Sequence, residues 1–312
     1  MGEQKNLFLA IGLSVIIIIF FQVLFPQQSV MTPPTEDKIN QAQSETSIDQ
    51  NQQLSDIIVK TKKQVLALSN RVSIKTPSLQ GSINLKGAIL DDLILLNYNE
   101  SLDKNSKNIN LLLPDQTSNP YYVEFGWKSL KKESSPIQLP DLNTEWKASS
   151  TSLTPNSPIT LFWTNTDNIT FKIHFEVDEN YLFHATQEIE NNSSKLLEIF
   201  PYRLIKRINF PDTINFFILH EGLISLLNDE LLEKKYSHLA DDCSTTLQTK
   251  STFCDQKATG GWLGFTDKYW MTALIPDQNE AINANYRHSN NNQDNFRVGY
   301  AGQVTTIKPN TN

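Results

Sequence analysis

The sequence predicts an all-β sandwich held behind one apolar helix, and three observations carry that prediction. Leu7 to Phe25 contains no charged residue. Pro26 to Gln53 is rich in Gln, Pro and Thr and has no aromatic residue. Beyond Arg71 the apolar residues recur with a period of two, most clearly from Ile169 to Val177, where five apolar side chains alternate with Thr170, Lys172, His174 and Glu176. That alternation is the mark of a strand with one face in a core and one in water.

Composition sets the outer bounds. The chain has 312 residues, is 39% hydrophobic and 20% charged, and carries a net charge of −7. It is too apolar for wholesale disorder, and its acidic balance argues against a nucleic-acid binder. Two cysteines, Cys243 and Cys254, are too few for a disulfide scaffold or a four-thiolate zinc site.

Residues 1–25 form the first unit, with the span at 7–25. Nineteen uncharged positions, only Ser14 and Gln22 of them polar, reach roughly 28 Å at 1.5 Å per residue, about the thickness of a hydrocarbon core. A cleaved signal peptide would have a basic start, a shorter apolar region and a small-x-small exit. Here Met1 to Asn6 holds one Lys and one Glu, and Phe25-Pro26-Gln27 offers no such exit, so a retained anchor is expected. Lys5 precedes the span and the next basic residue is Lys38, which places the N-terminus in the cytoplasm and the rest on the exported side. That side is oxidising, so Cys243 and Cys254 are open to pairing; two buried thiols are the alternative.

Residues 26–53 cannot bury enough apolar surface to offset chain ordering and are expected to form a flexible tether. Residues 54–312 form the sandwich domain. It opens on a short amphipathic helix within 54–70, with Leu54, Ile57, Ile58, Val65 and Leu68 on one face. Strands start from about 71: residues 72–76, 82–85, 121–127, 160–163, 169–177, 181–190, 195–199, 269–275, 282–286, 296–300 and 304–307, separated by polar turns such as Asn165–Asn168 and Asn290–Gln293. Asp229 to Lys235 interrupts them as a couple of helical turns.

The chain offers little chemistry. His174, His184, His220, His238 and His288 show no metal-type spacing, and His174 falls on the polar face of its strand. His220-Glu221 is an acid/base doublet in sequence only, because neighbours in an extended segment face opposite ways. Asp91-Asp92 and Asp241-Asp242 are adjacent carboxylates, read as solvated turns or edges before calcium sites. Phe171, Phe175, Trp262, Tyr269 and Trp270 are candidates for a sugar-binding groove, although core packing accounts for them more simply. Gly260-Gly261 reads as a turn. The glycosylation sequons, such as Asn168-Ile-Thr170, carry little weight in an Asn-rich chain. No catalytic, cofactor-binding or metal-binding residue is assigned.

The opening Met1-Gly-Glu-Gln4-Lys5-Asn6-Leu7 running straight into a helix resembles the start of the YidC-type (YidC/Oxa/Alb) bacterial inner-membrane insertases. Val72–Thr76 with Gly81–Gly87 is similar to the first strands of that family's large periplasmic domain. Gly260 to Pro276, reading GGWLGFTDKYWMTALIP, is the most distinctive match, and Leu219–Leu223 and Glu233–Tyr236 fit beside it. The resemblance implies a non-enzymatic insertase and chaperone, without a cofactor, that aids integral membrane proteins with or without the Sec translocon (SecYEG and SecDF). Nascent membrane proteins and the lipid bilayer would be its other partners. It also implies a β-super-sandwich of the galactose-mutarotase type, in the periplasm. In the family, insertion is performed by five further membrane helices after this domain; no second apolar stretch follows here, so the C-terminal insertase core is expected to be absent. A membrane-anchored carbohydrate-binding or sugar-epimerase-like sandwich is the alternative; an epimerase would need a His and a carboxylate facing one groove.

Overall fold

Alternating strands have to be covered on their apolar face, and in the computed structural model they cover one another. The structure describes residues 59–103, 105–130, 137–211, 219–246, 250–267 and 269–311. The expected span at 7–25, the tether at 26–53, and Leu54, Ile57 and Ile58 of the expected helix lie outside these residues.

The largest layer is an 11-stranded sheet. Its spatial order is β14 (Asp255–Thr259), β17 (Ala281–Asn290), β18 (Asp294–Ala301), β11 (Leu197–Ile208), β5 (Tyr121–Ser129), β3 (Ile89–Asn99), β2 (Leu79–Asn84), β1 (Arg71–Lys75) and β7 (Ser152–Leu153). β19 (Thr305–Ile307) also pairs with β11, and β4 (Asn108–Leu112) with β3. A second sheet runs β10 (Phe183–Asn191), β9 (Ile169–Val177), β8 (Ile159–Thr164) and β6 (Lys147–Ala148). A third runs β13 (Glu230–Lys235), β12 (Gly222–Leu227), β15 (Trp262–Asp267) and β16 (Trp270–Leu274). Pairing is antiparallel apart from β1 with β7.

Both small sheets pack on the same face of the large one. Tyr121, Val123, Phe125 and Trp127 share a face of β5 by the two-residue period. Phe125 meets Phe175 of β9 edge-on at 5.4 Å, and Trp127 meets Phe171 at 5.2 Å. Toward the third sheet, Phe296 of β18 meets Tyr236 at 5.0 Å, and the Tyr286 hydroxyl donates to Ser225 Oγ at 3.0 Å. Phe171, Phe175, Phe265, Phe296 and Tyr286 are fully buried, each worth roughly 1.5–3 kcal/mol of removed apolar surface. The architecture is therefore all-β and two-layered, as the alternation implied.

Several expectations need correction. Within 229–235, Glu230–Lys235 form a strand, not helical turns: β12 and β13 close a two-residue hairpin, Leu227 facing Glu230 across Asn228 and Asp229. Both turn residues have positive φ (53° and 63°), which short polar side chains tolerate. Helix follows directly, as α2 (Tyr236–Asp242). Within 54–70 the described helix is only α1 (Lys62–Leu66); Thr61 and Gln64 form a capping box, Val65 is buried, and Leu68 is 61% exposed instead of facing the core. Asp91 and Asp92 are buried in β3. Arg71 pairs with Asp91, while Lys62 Nζ stands 2.6 Å from Asp92 Oδ1 and Ser82 Oγ donates to Asp92 Oδ2 at 2.6 Å. Burial raises the Asp91 carboxyl above its usual range even beside Arg71. β3, β4, β6, β7, β12, β14 and β15 also lie outside the expected strands.

The cysteines are paired. Cys243, just after α2, bonds Cys254 at the end of a short 3-10 turn (Thr252–Cys254), with a Cα–Cα distance of 5.7 Å and both residues fully buried. Gly260 and Gly261 make the expected turn into β15, at φ of 63° and 83°.

Candidate functional site: a cleft between the two small sheets

Where the two small sheets stop short of each other, the face of the large sheet is left open. The resulting cleft holds about 940 Å³, within the usual range of ligand pockets, roughly 300–1,000 Å³. Its walls are the sheet-edge strands β10 and β16, and its floor is aliphatic, drawn from Leu79, Leu93, Leu95, Leu112 and Val123. A rim of partly exposed apolar residues surrounds it. Tyr98 and Tyr181 are each 44% exposed, Met271 49% and Ile275 62%. Tyr98 packs edge-on against Trp270 at 4.8 Å and faces Tyr181 at 6.3 Å.

One charged group of the large sheet enters this apolar surface. Arg203 of β11 lies across from Phe125 and Tyr300 in register, so it points to the same face as the core. Its side chain is 14% exposed, its guanidinium sits 5.4 Å from the centre of the Tyr300 ring, and Glu280 Oε1 is 3.9 Å from Nη1. At 3.9 Å that contact is not a hydrogen bond. Buried Nη1 has no hydrogen-bond partner among the described residues.

The β16 wall is held from behind by a buried polar network. Asp267, at the end of β15, pairs with Arg207 of β11 and accepts from the Tyr236 hydroxyl at 2.8 Å. Arg207 also lies 4.6 Å from the ring centre of Tyr121. Burial raises the carboxyl of Asp267, with Arg207 opposing, and burial pushes the Tyr121 hydroxyl up.

The residues that the sequence singles out scatter around this cleft. Tyr269 and Trp270 line it, while Phe171 and Phe175 are core and Trp262 is half-buried. His184 lies at its β10 edge. His174, expected to be solvated, bridges Thr160 Oγ1 and Glu188 Oε2 at 2.9 Å each on the outer face of the second sheet. His220 Nε2 donates to the Leu223 carbonyl at 2.7 Å, and His288 is buried 2.7 Å from Asp294 Oδ1. His238 is exposed, as is Asp241. Among the described residues no group of three or more His, Cys, Asp or Glu is placed to hold a metal. Sequence reasoning missed Arg203; its signal was a lone charge within the otherwise uncharged run Ile199 to Ile205.

Residues 71–312 match the YidC periplasmic domain. The chain belongs to the YidC family. It is 36% identical over 304 residues to a membrane protein insertase YidC of Granulibacter bethesdensis, covering 95% of this chain and 50% of that protein. A Rickettsia prowazekii insertase is 35% identical over 98% of this chain and 53% of its own length. One from Nitrobacter hamburgensis is 38% identical over 78% of this chain and 38% of its own length. The chain spans about half the length of the curated relatives it matches. Within the family match lie every strand of the sandwich, the cleft, Arg203 and the disulfide.

Proposed function

We propose that this chain serves as the anchor and periplasmic interaction domain of a membrane protein insertase, helping integral membrane proteins insert, fold and assemble with or without the Sec translocon. The observation that carries this is the match of residues 71–312 to the YidC periplasmic domain. In this reading residues 7–25 cross the inner membrane with the N-terminus in the cytoplasm, residues 26–53 are the tether, and 54–312 stand in the periplasm as a galactose-mutarotase-like super-sandwich. A buried disulfide suits an oxidising compartment. The action is non-enzymatic: contact with SecYEG, SecDF or emerging substrates, with no covalent step and no cofactor.

Insertion itself requires lowering the cost of moving polar backbone into hydrocarbon, several kcal/mol per unsatisfied group. A polar cavity inside the bilayer walled by several helices does that. A single apolar span whose polar side chains are Ser14 and Gln22 encloses no cavity. Residues 1–312 expressed alone are therefore expected to contact clients but not to replace the insertase.

The test is made in a strain depleted of its own insertase. Residues 1–312 should resist carbonate extraction, crosslink to SecDF or to a membrane protein in transit, and fail to restore growth. Release into the soluble fraction, or an absence of any such crosslink from a stably present chain, would overturn the reading.

A further inference from the structure

We infer that the cleft between β10 and β16 binds the acyl chain of an anionic amphiphile, with Arg203 taking the carboxylate or phosphate head. The inference stands apart from the insertase reading, because it rests on the cleft alone.

The floor selects the tail. Leu79, Leu93, Leu95, Leu112 and Val123 present branched aliphatic surface with no polar side-chain atom, inside about 940 Å³. Removing an alkyl chain from water onto such a surface is favourable by roughly 0.8 kcal/mol for each CH₂ buried. A sugar asks instead for several convergent donors and acceptors beside its aromatic contacts; of the polar wall residues, His184 and Thr186 share the outer face with Glu176 and His174, and the Gln278 amide is engaged by the backbone of Gly261 and Pro276. The aromatic pair Tyr98 and Trp270 stands at the mouth, the place where amphipathic rings meet the junction between tail and head.

Arg203 selects the head. A guanidinium in an apolar wall is costly unless it is paired and hydrogen-bonded. Buried Nη1 of Arg203 has no hydrogen-bond partner among the described residues; Glu280, 3.9 Å from it, offsets part of the charge without a hydrogen bond. Five N–H groups in a planar fork fit a carboxylate or phosphate, and such charge-assisted bonds are about twice as strong as neutral ones. A mid-chain apolar peptide would bring no net charge to that fork. Asp277, also at the cleft, is exposed and its Oδ1 accepts from the backbone N–H of Asn279 at 2.8 Å.

The experiment uses residues 1–312 in lipid vesicles and three photoreactive probes carrying a diazirine on the chain: palmitate, phosphatidylglycerol and hexadecanol. Adducts are mapped by mass spectrometry to the β10 and β16 segments. Palmitate, phosphatidylglycerol or both should label those segments, and the stronger of the two identifies the source of the chain. Hexadecanol should label them about tenfold less, and Arg203→Gln should weaken the anionic probe by about tenfold. Arg203→Lys should keep part of the labelling, since charge remains and the fork is lost. If Arg203→Gln fails to fold, Ala185→Trp, which fills the cleft from its β10 wall beside buried Phe175, should abolish labelling in its place. Equal labelling by hexadecanol, adducts outside the two segments, or displacement by an apolar peptide or a hexose but not by oleate would each overturn the proposal.

Discussion

The hydroxyl of Tyr236 donates to Oδ1 of Asp267 at 2.8 Å, tying the first residue of α2 to the last of β15. Arg207 completes the site from the large sheet, so one carboxylate joins the third sheet, a helix and the layer beneath. Replacing Asp267 with Ala leaves a buried guanidinium unpaired. We expect Asp267→Ala to cost about 3–5 kcal/mol, read from chemical denaturation. The double variant Arg207→Met with Asp267→Leu should cost clearly less, because no stranded charge remains. Equal losses would show that the network is not what holds these elements.

The disulfide closes a short loop, its cysteines 11 residues apart in sequence. Cys243→Ser with Cys254→Ser should lower stability by about 2–3 kcal/mol through the freer unfolded chain. Urea midpoints of the oxidised, reduced and double-Ser forms provide the measurement, and the last two should agree. No loss on reduction would refute the stapling role.

Two glycines predict opposite outcomes for the same added methyl. A Cβ on Gly264 of β15 would stand 2.1 Å from the backbone oxygen of Thr272, so β15 and β16 would have to part. We expect Gly264→Ala to cost about 2–3 kcal/mol or more. A Cβ on Gly302 would meet the Glu280 carboxylate tip at 2.6 Å, which can swing away. Gly302→Ala should fall within about 1 kcal/mol of the parent. Thermal melts of both variants decide it.

On the outer face of the second sheet, Lys172 lies 2.9 Å from Glu188 and 3.0 Å from Glu190. The Lys172 hydrogen bond holds the Glu188 carboxyl below its usual 4.5. A carboxyl lowered in the folded state contributes stability above its unfolded value, and that contribution disappears as pH falls through the folded value. The Glu188 side chain is 35% exposed, so the effect is screened and worth under about 1 kcal/mol. Glu188→Gln should therefore be slightly less stable than the parent at pH 7 and equal to it in acid below the folded value. Buried Asp91 and Asp267 are raised and act in the opposite sense, but they are common to both proteins and cancel in the difference. A gap that widened on acidification would contradict the assignment.

Strands whose two faces meet different surroundings are legible in the residues alone. Ile169 to Val177 alternates because one face meets Phe125 and Trp127 and the other meets water, and that contrast is written into nine consecutive residues. The family, too, was legible in local runs such as Gly260 to Pro276. Hidden were the segments where alternation fails. β3 has buried residues on both faces, Asp91 and Asp92 among them, because Arg71, Lys62 and Ser82 arrive from other elements to pair with the aspartates. β13 reads as helix since Glu230 to Lys235 is a strand mostly open to water, and its short hairpin to β12 decides its state. The cleft was the least legible feature. Its floor, walls and Arg203 come from strands far apart in sequence, and two small sheets stopping short of each other is a property of packing. Local patterning fixes which way a side chain points, but only long-range packing decides whether another layer lies there to cover it.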